Sequence, residues 1–323
     1  MRATGARRDR VGAWAELLRV SALATVPGDA LAGAAALGAR PNRGTLLAIG
    51  ASFCLYEAGM ALNDWADREE DALDRPHRPL PSGRVRPASA LAASATLTLA
   101  GLALAARAGR TPLAVAGTLA ATVWSYDLHL KHTRLGPAAM ATARALDLLL
   151  GATATASRHT LRPAAGPPRK DPRPGTAPPP AAVMPTGRRY GGGLRALGSA
   201  LFLGAHTYAV TAVSRHETQG GSATAPAAAL TVTSTLAAAA GSGGSPLAAV
   251  LAADYARTPA PFLFHAVLNP SPPLTQRAVG AGIRALIPLQ ATLAARAGAP
   301  ATALTVLALA PLARALARKV SPT

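Results

Sequence analysis

Gly44-Thr-Leu-Leu-Ala-Ile-Gly-Ala-Ser-Phe-Cys54-Leu-Tyr-Glu57-Ala-Gly-Met-Ala-Leu-Asn63-Asp64-Trp-Ala-Asp67-Arg-Glu-Glu-Asp71-Ala-Leu-Asp74 passes without a linker from a bilayer-length apolar segment into an acidic one. Six of the chain's fifteen carboxylates lie between Asp64 and Asp74. On a helix, steps of three and seven residues rotate by about 300° and 700°, so Asp64, Asp67 and Asp71 fall within roughly 60° of one another. Carboxylates stacked on one face repel unless a cation sits between them. Hard oxygen ligands beside arginines, at the mouth of an apolar bundle, suit Mg²⁺ carrying a phosphate-bearing substrate. Asn63 adds a neutral oxygen one step before the first aspartate. The alternative is a solvated acidic helix face, which would need neither Asn63 nor a membrane-length segment directly before it.

The rest of the chain repeats the apolar half of that pattern. Half of the 323 residues are hydrophobic, aromatic residues make up only 4% and charged residues 15%, so the apolar content is mostly Ala, Leu and Val. Ten apolar segments succeed one another, at roughly 17–38, 44–64, 89–108, 111–126, 137–157, 194–214, 224–241, 246–266, 277–296 and 299–318. Stretches of about 17–22 such residues match the thickness of a bilayer, and the chain reads as an all-α, multi-pass membrane helix bundle. Abundant Ala and Gly permit close helix packing in lipid, and Pro27-Gly28 predicts a kink in the first segment. The net charge of +18 invites a nucleic-acid reading. That reading is excluded: the basic residues sit in short groups between apolar segments, with no interleaved aromatics for base stacking. Topology and anionic headgroups account for them better. The single cysteine, Cys54, excludes an internal disulfide and reads as a small buried hydrophobe.

Arg2, Arg7, Arg8 and Arg10 place the N-terminus in the cytoplasm, and nothing there resembles a cleavable signal peptide. Connections after the second, fourth and sixth segments then share the cytoplasmic face. Residues 158–193, rich in Pro, Gly and Arg, have no apolar periodicity and predict a disordered loop on the other face. The whole of 1–323 reads as a single domain.

Three polar clusters share the cytoplasmic face: the acidic run, Tyr126-Asp127-Leu-His-Leu-Lys131-His132-Thr133-Arg134, and Ser214-Arg215-His216-Glu217-Thr-Gln-Gly220-Gly221. Asp127 and Lys131, at i,i+4, form a local ion pair or else release Lys131, with Tyr126, to a polar cavity where the lysine is a point charge for a phosphate oxygen. Glu217 is a ligand for a second Mg²⁺ or a headgroup-facing turn residue, and Arg215 lies beside it. Inside the spans, Arg144–Asp147 and Asp254–Arg257 read as i,i+3 structural pairs. Glu57, Asp64 and Asp71 form a seven-residue stripe that places Glu57 in the cavity below the metal. His77, His129, His132, His159 and His216 read as loop residues, while His206 and His265 are hydrogen-bonded within the bundle.

These clusters resemble the UbiA superfamily of intramembrane prenyltransferases. Asn63-Asp64-x-x-Asp67-x-x-x-Asp71 is similar to its first aspartate-rich motif, and Arg75-Pro-His-Arg78-Pro-Leu-Pro-Ser-Gly83 to its Arg-Pro loop. Tyr126-x-x-x-Leu130-Lys131 is similar to its Tyr/Lys cluster. The family's second motif has two aspartates, whereas this chain has Val213 and Glu217; the string Thr211-Ala-Val-Ser-Arg-x-Glu217-x-x-Gly-Gly221 resembles the EboC-like subgroup. The resemblance implies about nine transmembrane helices, so one of the ten segments is half-inserted or interfacial.

It further implies transfer of a prenyl group from an allylic (poly)prenyl diphosphate to a hydrophobic or aromatic acceptor held in the bilayer, with Mg²⁺ as cofactor. Asp64, Asp67, Asp71 and Glu217 are then the metal ligands and, with Lys131, the catalytic set; Asn63, Arg78, Tyr126, Glu57 and Arg215 contact substrate. If the source is bacterial, the membrane is the plasma membrane. A carrier or accessory protein for a lipid-soluble metabolite is the alternative, drawn from the missing carboxylate at position 213.

Overall fold

The computed structural model describes residues 11–159 and 186–311. A short helix over 11–17 and a 3₁₀ helix, Val20–Thr25, lead into α1 (Val26–Ala36), α2 (Arg43–Ala66), α3 (Arg68–Asp74), α4 (Pro87–Ala108), α5 (Arg110–Ser125) and α6 (Gly136–His159). The second half comprises α7 (Thr186–Ser214), α8 (Thr224–Gly241), α9 (Pro246–Arg257), α10 (Ala260–Leu268), α11 (Pro272–Arg296) and α12 (Pro300–Leu307). Among the described residues there is no strand, and the fold is all-α. Four stretches, Arg43–Ala66, Pro87–Ala108, Gly191–Ser214 and Pro272–Arg296, are long and apolar enough to cross a membrane.

Local chemistry sets the helix ends. Asn42 starts α2 with a capping box: its side chain accepts from the backbone of Gly44 (2.8 Å) and Thr45 (3.2 Å), while the Thr45 hydroxyl accepts from the Asn42 backbone (2.9 Å). The Asn42 amide also donates to the Thr155 carbonyl at 3.0 Å. The start of α2 is thereby tied to the end of α6, and the two helices run antiparallel with their opposite ends free to meet at the acidic mouth.

Small residues bring α1 and α6 into backbone contact. A Cβ on Gly33 would lie 2.3 Å from the Leu148 carbonyl oxygen, and one on Gly151 would lie 2.3 Å from the Ala30 Cα. In lipid, where apolar burial drives helices together only weakly, such close approach is a main source of packing energy. Around this seam the core is Ala and Leu, with Ala30, Ala48, Ala51, Leu55 and Leu150 in one cluster.

Several expected boundaries move. Pro27 lies in the first turn of α1, where it needs no hydrogen-bond donor, so the first segment is a 3₁₀ helix followed by a new α-helix and not one kinked helix. The segment at 246–266 divides between α9 and α10 at Thr258-Pro259, with Pro again in a first turn. The Pro/Arg loop is shorter than 158–193, because α6 continues through His159 and α7 begins at Thr186; its centre lies outside the described residues. The final segment is helical over Pro300–Leu307, and its end also lies outside them. Finally, the helix is interrupted at Asp67, between α2 and α3, so the seven-residue stripe through Glu57, Asp64 and Asp71 is not continuous.

Candidate active site

The interruption at Asp67 separates the three aspartates into two groups. Asp64 and Asp71, 5% and 3% exposed, both meet the same Arg78 nitrogen, at 3.7 and 2.7 Å. Arg19 adds a second cation to Asp64 at 3.4 Å and Arg75 a second to Asp71 at 3.6 Å. Asp67 turns the other way and takes the Lys131 ammonium. The expected three-carboxylate face is thus a pair plus a neighbour, each answered by cations of this chain.

Lys131 reaches Asp67 because of a local irregularity. The Lys131 backbone donates to the Tyr126 carbonyl at 3.0 Å, an i→i+5 bond that makes Tyr126–Leu130 a π turn. The wider turn inserts one residue into the helix and re-phases the side chains beyond it, a device frequent at functional sites. Of the two readings of Asp127 and Lys131, the local ion pair does not form, and Lys131 is released to Asp67. Asp127 instead accepts from the Asn63 side-chain amide at 3.3 Å. Burial pushes the Asp127 carboxyl up to about 7, against the Asn63 hydrogen bond and the Lys131 charge.

The third cluster closes on the first two. The Arg215 guanidinium donates to the Thr133 carbonyl at 2.7 Å, fixing the turn after α7 to the turn after the π segment. Glu217 faces the Arg75 charge; burial raises its pKa, and Arg75 opposes the rise. The three polar clusters therefore meet at one end of the bundle. Val213 does not join them. It is fully buried in an apolar cluster with Ala209, Leu263 and Ala278, where a carboxylate would have no partner.

Below this mouth opens a cavity of about 300 Å³. Arg19, Asn63, Tyr126 and Asp127 line its upper end, Leu55, Met60, Leu119 and Val123 its walls, and Ser52, Arg144 and Asp147 its deep end. Glu57 is buried but is not among the residues lining the cavity, a consequence of its place on α2: positions 52, 55, 56, 59, 60 and 63 face inward. Arg144 and Asp147 do not pair with each other. Arg144 Nε lies 3.1 Å from Asp29 Oδ2, while Asp147 accepts from the Ser52 hydroxyl. The pair Asp254–Arg257 does form, at 2.8 Å. His206 bridges the Tyr255 hydroxyl (2.9 Å) and the Gly282 carbonyl (3.0 Å).

Sequence reasoning missed Arg19, Arg75 as a partner of Glu217, and the wholly buried Asp29. Arg19 alone had a signal, a basic residue at the threshold of an apolar segment. Asp67, Glu70 and His132 also bring ligand atoms within 4.8 Å of one another, the latter two exposed. His132 lies in the turn after the π segment, as its sequence reads.

A model of the UbiA prenyltransferase family matches residues 22–256. The chain belongs to that family. Curated relatives include the digeranylgeranylglyceryl phosphate synthase of Methanopyrus kandleri, 36% identical over 116 residues, which are 36% of this chain and 41% of that one. The enzyme of the same name from Ignicoccus hospitalis is 36% identical over 149 residues, 46% and 48% of the two chains. The matches thus span less than half the length of either relative. A solved UbiA homolog from Aeropyrum pernix K1 superposes with a TM-score of 0.60 over 84% of this chain and 96% of that one, at 16% identity. A UbiA homolog from Archaeoglobus fulgidus, bound to GPP and Mg²⁺, gives 0.54 over 92% and 99%, also at 16% identity. At these identities the likeness is one of fold; family membership and the four apolar helices make the chain an integral membrane protein.

Proposed function

We propose that the chain is a Mg²⁺-dependent intramembrane prenyltransferase that moves a prenyl group from an allylic diphosphate to a lipid-soluble, hydrophobic or aromatic acceptor. One observation carries this reading: cation-paired aspartates close the mouth of an apolar cavity that runs into the bundle. Arg19, Arg75, Arg78 and Lys131 each have a phosphate oxygen as an alternative to the carboxylate they now hold. The donor set fits Mg²⁺, being hard, anionic and all-oxygen. Asp64, Asp67 and Asp71 would hold the ion, with Glu217 across the mouth, and once bound it would neutralise charge growing on the diphosphate leaving group.

The chain's own residues supply the rest. Arg78 and Lys131 stabilise the departing diphosphate as the C–O bond breaks and its electron pair moves to oxygen. Asn63 and Tyr126 line the cavity's upper end and orient the allylic carbon there. Leu55, Met60, Leu119 and Val123 form a water-poor wall around the carbon on which positive charge develops. Attack by the acceptor's oxygen or carbon on that carbon forms the new bond, and the O–H or C–H proton it displaces passes to the released diphosphate. The names of the archaeal relatives make a glyceryl phosphate the polar acceptor to test against hydrophobic and aromatic ones.

The proposed topology puts the mouth and N-terminus in the cytoplasm, in the plasma membrane if the source is bacterial. The EboC-like subgroup reading rests on the Val213–Glu217 string. The carrier alternative keeps the missing carboxylate at Val213 as its support, and the cation-paired aspartates of the mouth count against it. Pyrophosphate release by the purified chain, from allylic diphosphates with Mg²⁺ and a panel of acceptors, tests the enzyme reading. Tight diphosphate binding without release under any acceptor would favour the carrier.

A further inference from the structure

The deep end of the cavity is polar, which is unexpected for a chamber that holds a hydrocarbon. Ser52, Arg144 and Asp147 line it. Behind them Asp29 is fully buried, facing Arg144 on one oxygen and accepting from the Gln290 amide at 2.7 Å on the other. Gly28 makes room for that glutamine: a Cβ there would lie 2.0 Å from Gln290 Oε1. The floor is therefore assembled from α1, α2, α6 and α11, and held by the backbone contact of α1 with α6. Arg144 Nη2 and Gln290 Oε1 have no hydrogen-bond partner, and Arg144 Nε and Asp29 Oδ2 meet only as an ion pair, so the floor's polar groups are incompletely satisfied. Ionisable groups at this depth are costly unless they face a cavity or one another, and here they do both.

We infer that this polar floor sets the longest prenyl tail the chamber accepts, an inference that rests on the proposed function. A tail entering from the mouth runs along the apolar walls until its terminal methyls meet Arg144 and Asp147. Further extension would strip the remaining solvation from both side chains and return no hydrogen bond. Ser52 lies about three turns of α2 below Asn63, roughly 16 Å. Each extended C5 unit advances about 5 Å, from four C–C bonds of ~1.5 Å. The chamber then admits about three C5 units, and a fourth meets the floor.

The test is equilibrium binding of dimethylallyl, geranyl, farnesyl and geranylgeranyl diphosphates to the purified full chain at saturating Mg²⁺. Kd should hold or improve through farnesyl and weaken about tenfold or more at geranylgeranyl. The paired variant Arg144→Leu/Asp147→Asn removes one charge of each sign from the lining of the floor and should abolish that break. Ala143→Leu adds bulk one turn above Asp147 without touching a polar group and should move the break down to farnesyl. Wild-type binding of geranylgeranyl as tight as farnesyl overturns the inference, as does an Ala143→Leu break left in place. If Ala143→Leu shifts the break but the folded paired variant does not, the floor is only a steric wall. Absence of Mg²⁺-dependent binding at every length would instead defeat the functional reading itself.

Discussion

The mouth of the cavity and its floor are built from the same ingredients, arginines set against aspartates, but they are built differently. At the mouth one Arg78 nitrogen serves two carboxylates, and each of those carboxylates has a second arginine. The arginine side chains there are 22–46% exposed, so a change of partner costs little. At the floor Arg144 has one ionic partner and Asp29 is sealed. On the proposed function, the mouth exchanges its counter-charges for an incoming anion and cation. The floor is arranged to stay as it is. Loss of a residue should therefore register as stability at the floor and as binding or turnover at the mouth.

The largest effect should come from the floor. Asp29→Ala removes the carboxylate paired with the Arg144 guanidinium, leaving it only the more distant charge of Asp147, and takes from the Gln290 amide its side-chain acceptor. Breaking a buried pair from one side costs about 3–5 kcal/mol. Denaturation of the purified chain in detergent should show a loss of this size, and Asp29→Asn should recover part of it by retaining an acceptor for Gln290. If Asp29→Ala unfolds like wild type, the contrast between the two regions is wrong.

At the mouth, Asp64→Ala should leave the unfolding midpoint nearly unchanged, because Arg78 keeps Asp71, and either Asp64→Ala or Asp67→Ala should remove Mg²⁺-dependent diphosphate binding. Turnover should fall by about three orders of magnitude, the upper end of what a group stabilising transition-state charge supplies. Titration calorimetry with Mg²⁺ and an allylic diphosphate measures the first effect, pyrophosphate release the second. Retained binding in both variants would remove these aspartates from the metal site. A large loss of stability instead would make the mouth a structural cluster like the floor.

How far the sequence reveals this contrast depends on the range of the interactions. The helix bundle and most of its segments are legible because apolar length is a local property. The clustering of the three polar groups at one end is legible because alternating spans force even-numbered connections to the same face. Pairing is not. Arg144 and Asp147 sit at a spacing that suits an ion pair, yet the chain supplies Asp29 from α1 and Ser52 from α2, and backbone contact through Gly33 and Gly151 makes those partners nearer. For Asp127 and Lys131 the sequence leaves pairing and release open, and the single inserted residue of the π turn decides for release. Glu57 is a third case: it shares the α2 stripe with Asp64, but the cavity lies along another face of that helix, that of positions 52, 56, 59 and 63. Local spacing gives the periodicity of a face and not which face the rest of the bundle leaves open.

Glu217 offers the smallest and finest test, because it belongs to the mouth by position but lacks the mouth's direct pairing. No ion pair joins it to a neighbour among the described residues; only the Arg75 charge acts on it, and its backbone carbonyl accepts from the Gln276 amide at 3.3 Å. If it completes the charge around the leaving group, Glu217→Gln should cut turnover by about two orders of magnitude. Glu217→Asp should keep part of the activity, since the charge remains and only its reach shortens. Neither change should alter stability by more than a few tenths of a kcal/mol, as expected for a partly exposed side chain outside the helix core. If Glu217 is a turn residue against headgroups, Gln and Asp variants will release pyrophosphate at wild-type rate. The mouth would then hold all its working carboxylates on the α2–α3 junction, and the turn after α7 would serve only to anchor Arg215 on Thr133. Rates at saturating Mg²⁺ for the three proteins separate these outcomes, because a headgroup contact is indifferent to whether position 217 bears a charge and a leaving-group contact is not.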